Sequence, residues 1–148
     1  MSDDTVRIDL DMAELERIER ELGWRTETVI RRMAFELQRE AQKFAKVETG
    51  ALRASIYTNT QRADYYAKSD AAAKAKNPKV ETAPIPMPKG DEIAVVGASV
   101  LYAAYVEMGL KSNPKYPKQP YLRPAAEKVR RKLEDGSTYK ELFEKKAP

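Results

Sequence analysis

The period at which apolar side chains recur changes several times along this chain. Val6, Ile8 and Leu10 alternate with Thr5, Arg7 and Asp9, a period of two that predicts a short strand with one apolar face. Asp11 is placed to cap a short helix carrying Met12, Leu15, Ile18 and Leu22 on one side, with Gly23 as its stop. Thr26 then caps a second helix, and Glu27 suits the positive end of its dipole. Ile30, Met33, Ala34, Leu37, Ala41, Phe44 and Ala45 follow at spacings of three and four, which predicts an amphipathic helix over about 26–47. Its opposite face holds Arg31, Arg32, Glu36, Arg39, Glu40 and Lys43 and reads as a solvated face.

Gly50 interrupts that helix, Ala51 to Ser55 suits one helical turn, and Ile56 to Gln61 is rich in β-branched and aromatic residues, as a strand is. Residues 62–91 change character. An Ala/Lys run of low complexity precedes Pro84, Pro86 and Pro88, whose alternation predicts extended, polyproline-like chain. A loop of this length predicts an arm. Ile93 to Gly97 reads as a central strand, and Leu101 to Met108 as a short helix that packs Tyr102 and Tyr105 on the sheet. Arg123-Pro124 opens a last helix lined by Ala125, Ala126, Val129 and Leu133, with Pro124 in its first turn. Asp135-Gly136 breaks that helix, and Tyr139, Leu142 and Phe143 suit a final short turn. Strands and helices segregate instead of alternating, so the expected fold is α+β: one domain over 1–148, its long amphipathic helix packed on a small, mainly antiparallel sheet, with short C-terminal helices.

Composition narrows the chemistry. The 148 residues include no cysteine and no histidine. That excludes disulfides, thiolate or imidazole metal sites, cysteine nucleophiles and the commonest general base. No catalytic residue, cofactor or metal is expected, and the protein is expected not to be an enzyme. The net charge of +4 is unevenly spread: residues 1–50 hold 9 basic and 12 acidic side chains, residues 51–148 hold 18 and 11. No stretch has the roughly 20 apolar residues of a membrane span, and the acidic start lacks an apolar signal core. The protein is expected to be made and kept in a cytoplasm, or delivered by a route without a signal peptide, with no membrane partner.

Three constellations stand out. In Thr49-Gly50-Ala51-Leu52-Arg53-Ala54-Ser55-Ile56, Gly50 is expected to take a backbone conformation closed to other residues, with Leu52 and Ile56 anchoring the turn. Arg53 reads either as a contact to phosphate or a partner carboxylate, or as a surface arginine paired with Glu48. In Val96-Gly97-Ala98-Ser99-Val100-Leu101-Tyr102-Ala103-Ala104-Tyr105-Val106-Glu107-Met108-Gly109, neither Ser99 nor Glu107 has the partners of a catalytic group. Ser99 reads as a helix cap and Glu107 as an acceptor for nearby backbone amides. In Gln119-Pro120-Tyr121-Leu122-Arg123-Pro124-Ala125, Tyr121 and Leu122 are expected to dock on the core while Arg123 points outward or pairs with Glu107. Lys68, Lys74, Lys76, Lys79 and Lys89 lack the interleaved aromatics of base-stacking modules.

In this order, these constellations resemble the small neck proteins of long-tailed phages: the lambdoid head–tail joining or tail-completion family, also called minor tail proteins. The resemblance covers roughly residues 26–134 and rests on Thr49, Gly50, Leu52, Arg53, Ser55, Gly97, Tyr102, Glu107, Gly109, Pro120, Tyr121, Leu122, Arg123 and Pro124. Met108 departs from the aromatic residue common before the glycine, and the 62–91 segment is longer than a simple turn requires. The resemblance implies a structural virion protein at the neck, made in the bacterial host cytoplasm. It implies a ring, expected to have six subunits. The ring would bridge the head connector or head-closure protein and the tail terminator or tail tube, with DNA only passing through its channel. Lys74, Lys76, Pro84, Pro86, Pro88, Lys111, Lys115 and Lys118 are the expected interface residues. The competing reading is a small basic nucleic-acid-binding protein, whose binding to bare DNA would fall steeply with salt.

Overall fold

The computed structural model describes residues 17, 20, 26–45, 50–90, 94–109, 112, 115 and 117–134. The strand expected at 6–10, most of the helix expected after it and the final turn at 139–143 lie outside these residues, as do Thr49 and Lys111. Seven elements follow one another: α1 (Thr26–Phe44), α2 (Ala51–Ser55), β1 (Ile56–Thr60), α3 (Tyr66–Lys76), β2 (Ala94–Ala98), α4 (Ala103–Met108) and α5 (Leu122–Glu134). The fold is α+β. Among the described residues, no helix is long and apolar enough to cross a membrane.

The long helix buries Val29, Met33, Ala34, Leu37, Ala41 and Ala45, while Phe44, expected on the same face, stands exposed. Burying a side chain the size of Leu37 is worth about 1.5–3 kcal/mol. Its apolar face lies on a two-stranded antiparallel sheet in which Ile56 faces Ala98 and Thr60 faces Ala94. Successive strand residues point to opposite faces. Thr58 therefore turns to α1, its hydroxyl meeting the Gln38 side-chain oxygen Oε1 at 2.7 Å. Tyr57 and Asn59 turn the other way, where the Asn59 side-chain oxygen Oδ1 accepts the Tyr65 N–H at 3.0 Å and the Tyr57 ring meets Tyr66. Both faces are covered, so residues 56–59 are all buried.

The second cover comes from residues expected to form a free arm, and here the expectation fails. Tyr66–Lys76 is helical, not extended. Alanine is the best helix former, and the first proline after this run is Pro78, two residues past its end. α3 packs on α2, burying Ser69 and Ala73. The proline segment forms neither helix nor strand, and it is strapped down. Thr82 bridges Val100, the Ala83 N–H donates to Ser99 O at 2.8 Å, and the Leu101 N–H donates to Glu81 O at 3.0 Å. Proline removes the N–H of residues 84 and 86, and the intervening Ile85 N–H donates to the Tyr57 hydroxyl at 2.6 Å.

On the far side of α1 lies α5, antiparallel to it: Lys132 reaches Glu36 at 2.7 Å and Lys128 reaches Glu40 at 2.8 Å. The polar face of α1 is therefore not solvated throughout. Glu36 and Glu40 are buried, because α5 lays Lys128 and Lys132 over them. Burial pushes the Glu40 carboxyl up, but the ammonium groups of Lys128, Lys43 and Lys132 outweigh it and hold it at about 2. Glu36 is likewise lowered against the effect of burial, by Lys132 and Arg39.

Candidate interaction surface

The first two motif segments build one junction. Gly50 takes φ +83° and starts α2, a conformation costly for any residue with a Cβ. Leu52 is buried, Ser55 is sealed with its hydroxyl donating to Leu52 O at 2.7 Å, and the Arg53 guanidinium donates to Ala45 O at 3.2 Å. Arg53 thereby ties α1 to α2. Glu48, its expected partner, lies outside the described residues. Gly97 pairs with Tyr57 across the sheet.

Ser99 does not cap α4. It is buried, and its hydroxyl lies 3.5 Å from that of Ser69, which itself donates to Ser55 O at 2.7 Å. These serines stitch α2, α3 and the end of β2 together. Nothing in the sequence pattern marked this cluster, because Ser69 sits in a helix that carries no amphipathic period.

Glu107 acts as expected, as an acceptor for backbone amides. One oxygen accepts the Leu122 N–H at 2.7 Å and the Arg123 N–H at 3.1 Å; the other accepts the Tyr121 N–H at 3.0 Å. A helix leaves its first N–H groups without internal partners and favours negative charge there. Glu107 supplies both needs from another element, and Pro124, in the first turn of α5, brings no N–H of its own. The alternative pairing of Glu107 with the Arg123 guanidinium is not what forms: the carboxylate is taken by the backbone, and Arg123 stands exposed. Tyr121 and Leu122 dock in the core, both fully buried.

The outer side of α4 contradicts the expectation that its aromatics pack on the sheet. Ala103 and Glu107 point inward, while Leu101 (54%), Tyr102 (37%), Tyr105 (56%) and Met108 (49%) stand in solvent. Glu107 claims the inner position because α5 needs its charge, and that turns the aromatics out. Gly109 closes the helix at φ +75°, and a Cβ there would lie 2.6 Å from the Lys118 backbone nitrogen. The chain then returns along α4, the Gln119 N–H donating to Val106 O at 2.8 Å, with Lys115, Lys118 and Pro120 exposed.

The other expected interface residues scatter. Lys74 pairs with Asp70 at 3.2 Å, Lys76 lies beside Gly50, and Pro84 and Pro86 are exposed. Pro88 is buried. A shallow cleft lined by Glu27, Ile30, Arg31, Thr60, Gln61, Arg62 and Ala94 offers about 20 Å³, the room of one water molecule. The Glu27–Arg62 ion pair at 3.3 Å joins two of its lining residues.

No protein-family model, no curated protein and no solved structure matches this chain.

Proposed function

We propose that this chain is a structural virion protein of the head–tail junction of a long-tailed phage or phage-like particle. It assembles as a ring of six that joins the head connector to the tail tube. The observation that carries the reading is the meeting of motif segments: the Glu107 carboxylate clasps the backbone of Tyr121, Leu122 and Arg123. Two stretches that make up the phage-neck resemblance are thus one built unit. The exposed apolar stripe on α4 supports a protein that works by assembling. The ion pairs of Lys128 and Lys132 with buried acids weigh against reading α5 as a nucleic-acid face.

The test is electron microscopy of particles made by a host whose phage lacks this chain. The expected result is filled heads beside free tails. Intact particles in normal number would overturn the reading.

A further inference from the structure

Four of the seven large apolar side chains exposed among the described residues lie between positions 101 and 108. Tyr105 and Met108 stand three positions apart on α4, and Leu101 and Tyr102 lie in the turn just before it. An apolar patch of this kind, rimmed by polar residues, marks an interaction site. Lys118 supplies a basic edge: it is exposed and packed by its backbone against Gly109 at the end of α4.

The matching charge lies at the start of the chain. Glu36 and Glu40 of α1 are sealed under α5. Residues 1–22, by contrast, hold eight acidic and three basic side chains, interleaved with Val6, Ile8, Leu10, Met12, Leu15, Ile18 and Leu22. That is the composition a basic-edged apolar patch would select. A contact between two different parts of the chain is head-to-tail, and it closes into a ring when the rotation between copies closes.

We infer that Leu101, Tyr102, Tyr105 and Met108 form the docking surface for a second copy of this chain, engaged through the acidic, apolar residues of its first 22 positions. The inference rests on the ring reading above and names the two surfaces that would build the ring.

Sedimentation velocity of the full chain over a concentration series tests it. The wild type assembles beyond a monomer. Tyr105→Asp and Met108→Asp, both at solvent-facing positions, weaken assembly at least tenfold while circular dichroism stays unchanged. If Tyr105→Asp misfolds, Met108→Asp carries the test. A double variant, Ile8→Asp with Leu10→Asp, also weakens assembly at least tenfold. Mixing it with Tyr105→Asp gives a 1:1 pair that grows no further, because one intact stripe meets one intact N-terminal segment. Assembly by the stripe variants at wild-type concentrations would overturn the inference and leave the ring reading standing. A mixture that gives no pair, or a wild type that stays monomeric throughout, would also overturn it. The particle experiment judges the head–tail reading separately.

Discussion

Gly109 and Gly50 both hold a positive φ, but their surroundings differ. At Gly109 (φ +75°, ψ 168°) the backbone is in a region that is essentially glycine-only, and a Cβ would also strike the Lys118 backbone. At Gly50 the nearest neighbour is the flexible Lys76 side chain, 3.4 Å away. Gly50→Ala is expected to cost about 1–2 kcal/mol, the usual penalty of a left-handed residue. Gly109→Ala is expected to cost more, about 3 kcal/mol, because strain and collision add. Thermal unfolding of the two variants checks the order, and equal losses would count against this account of the α4 turn.

Glu40 sets the acid limit at the same scale. Its carboxyl ordinarily titrates at 4.5 and is held at about 2 in the folded chain. The unfolded state therefore takes up the proton first. The stability Glu40 contributes is complete above about pH 4.5 and is lost as pH falls towards 2. Lys132 reaches both Glu36 and Glu40. Lys132→Met should lower stability at pH 7 by about 1–3 kcal/mol, the cost of leaving buried charge less well paired. Its deficit should narrow as pH falls, because a protonated Glu36 or Glu40 no longer needs the ammonium group. Denaturant midpoints at pH 7, 4 and 2.5 test this; a variant whose loss is the same at all three would not fit.

Among elements, the joint between α4 and α5 is the most informative. Glu107→Gln keeps the shape but replaces one acceptor oxygen with an N–H₂ group, which then faces backbone donors. Hydrogen bonds to a charged group are worth about 1.5–3 kcal/mol each, more than their neutral equivalents. We expect Glu107→Gln to lower stability by about 2–3 kcal/mol, and amide exchange to quicken first at the start of α5. Uniformly quickened exchange with α5 no worse than α1 would deny Glu107 its capping role.

The elements also differ in how plainly the sequence announced them. The long helix was legible because one of its faces is apolar at every turn, and β1 because β-branched and aromatic residues cluster there. α3 was not, since it buries only Ser69 and Ala73, so no stripe betrays it and helix propensity alone carries the signal. The burial of Glu36 and Glu40 depends on Lys132, which lies 96 and 92 residues away from them, beyond what local spacing reveals. Glu107 is legible as a backbone acceptor because it is a lone acidic residue in an apolar segment. The outward turn of Tyr102 and Tyr105 follows from the inward need for that charge, which only the docked α5 makes visible.

Across the whole molecule, the net charge of +4 hides two unequal parts. Among the described residues much of the opposite charge is spent internally, in the α1–α5 pairs and in Asp70 with Lys74. The acidic residues of the first 22 positions and Lys118 after α4 are the charges assigned here to contact between copies. The central claim is that this chain joins heads to tails. Add-back tests it most directly. Filled heads and free tails are collected from particles made without the chain, purified protein is added, and joined infectious particles are counted. The account predicts that joining returns with wild-type protein and falls at least tenfold with Tyr105→Asp. Heads and tails that stay apart after wild-type protein is added, or that join equally well without it, would contradict it.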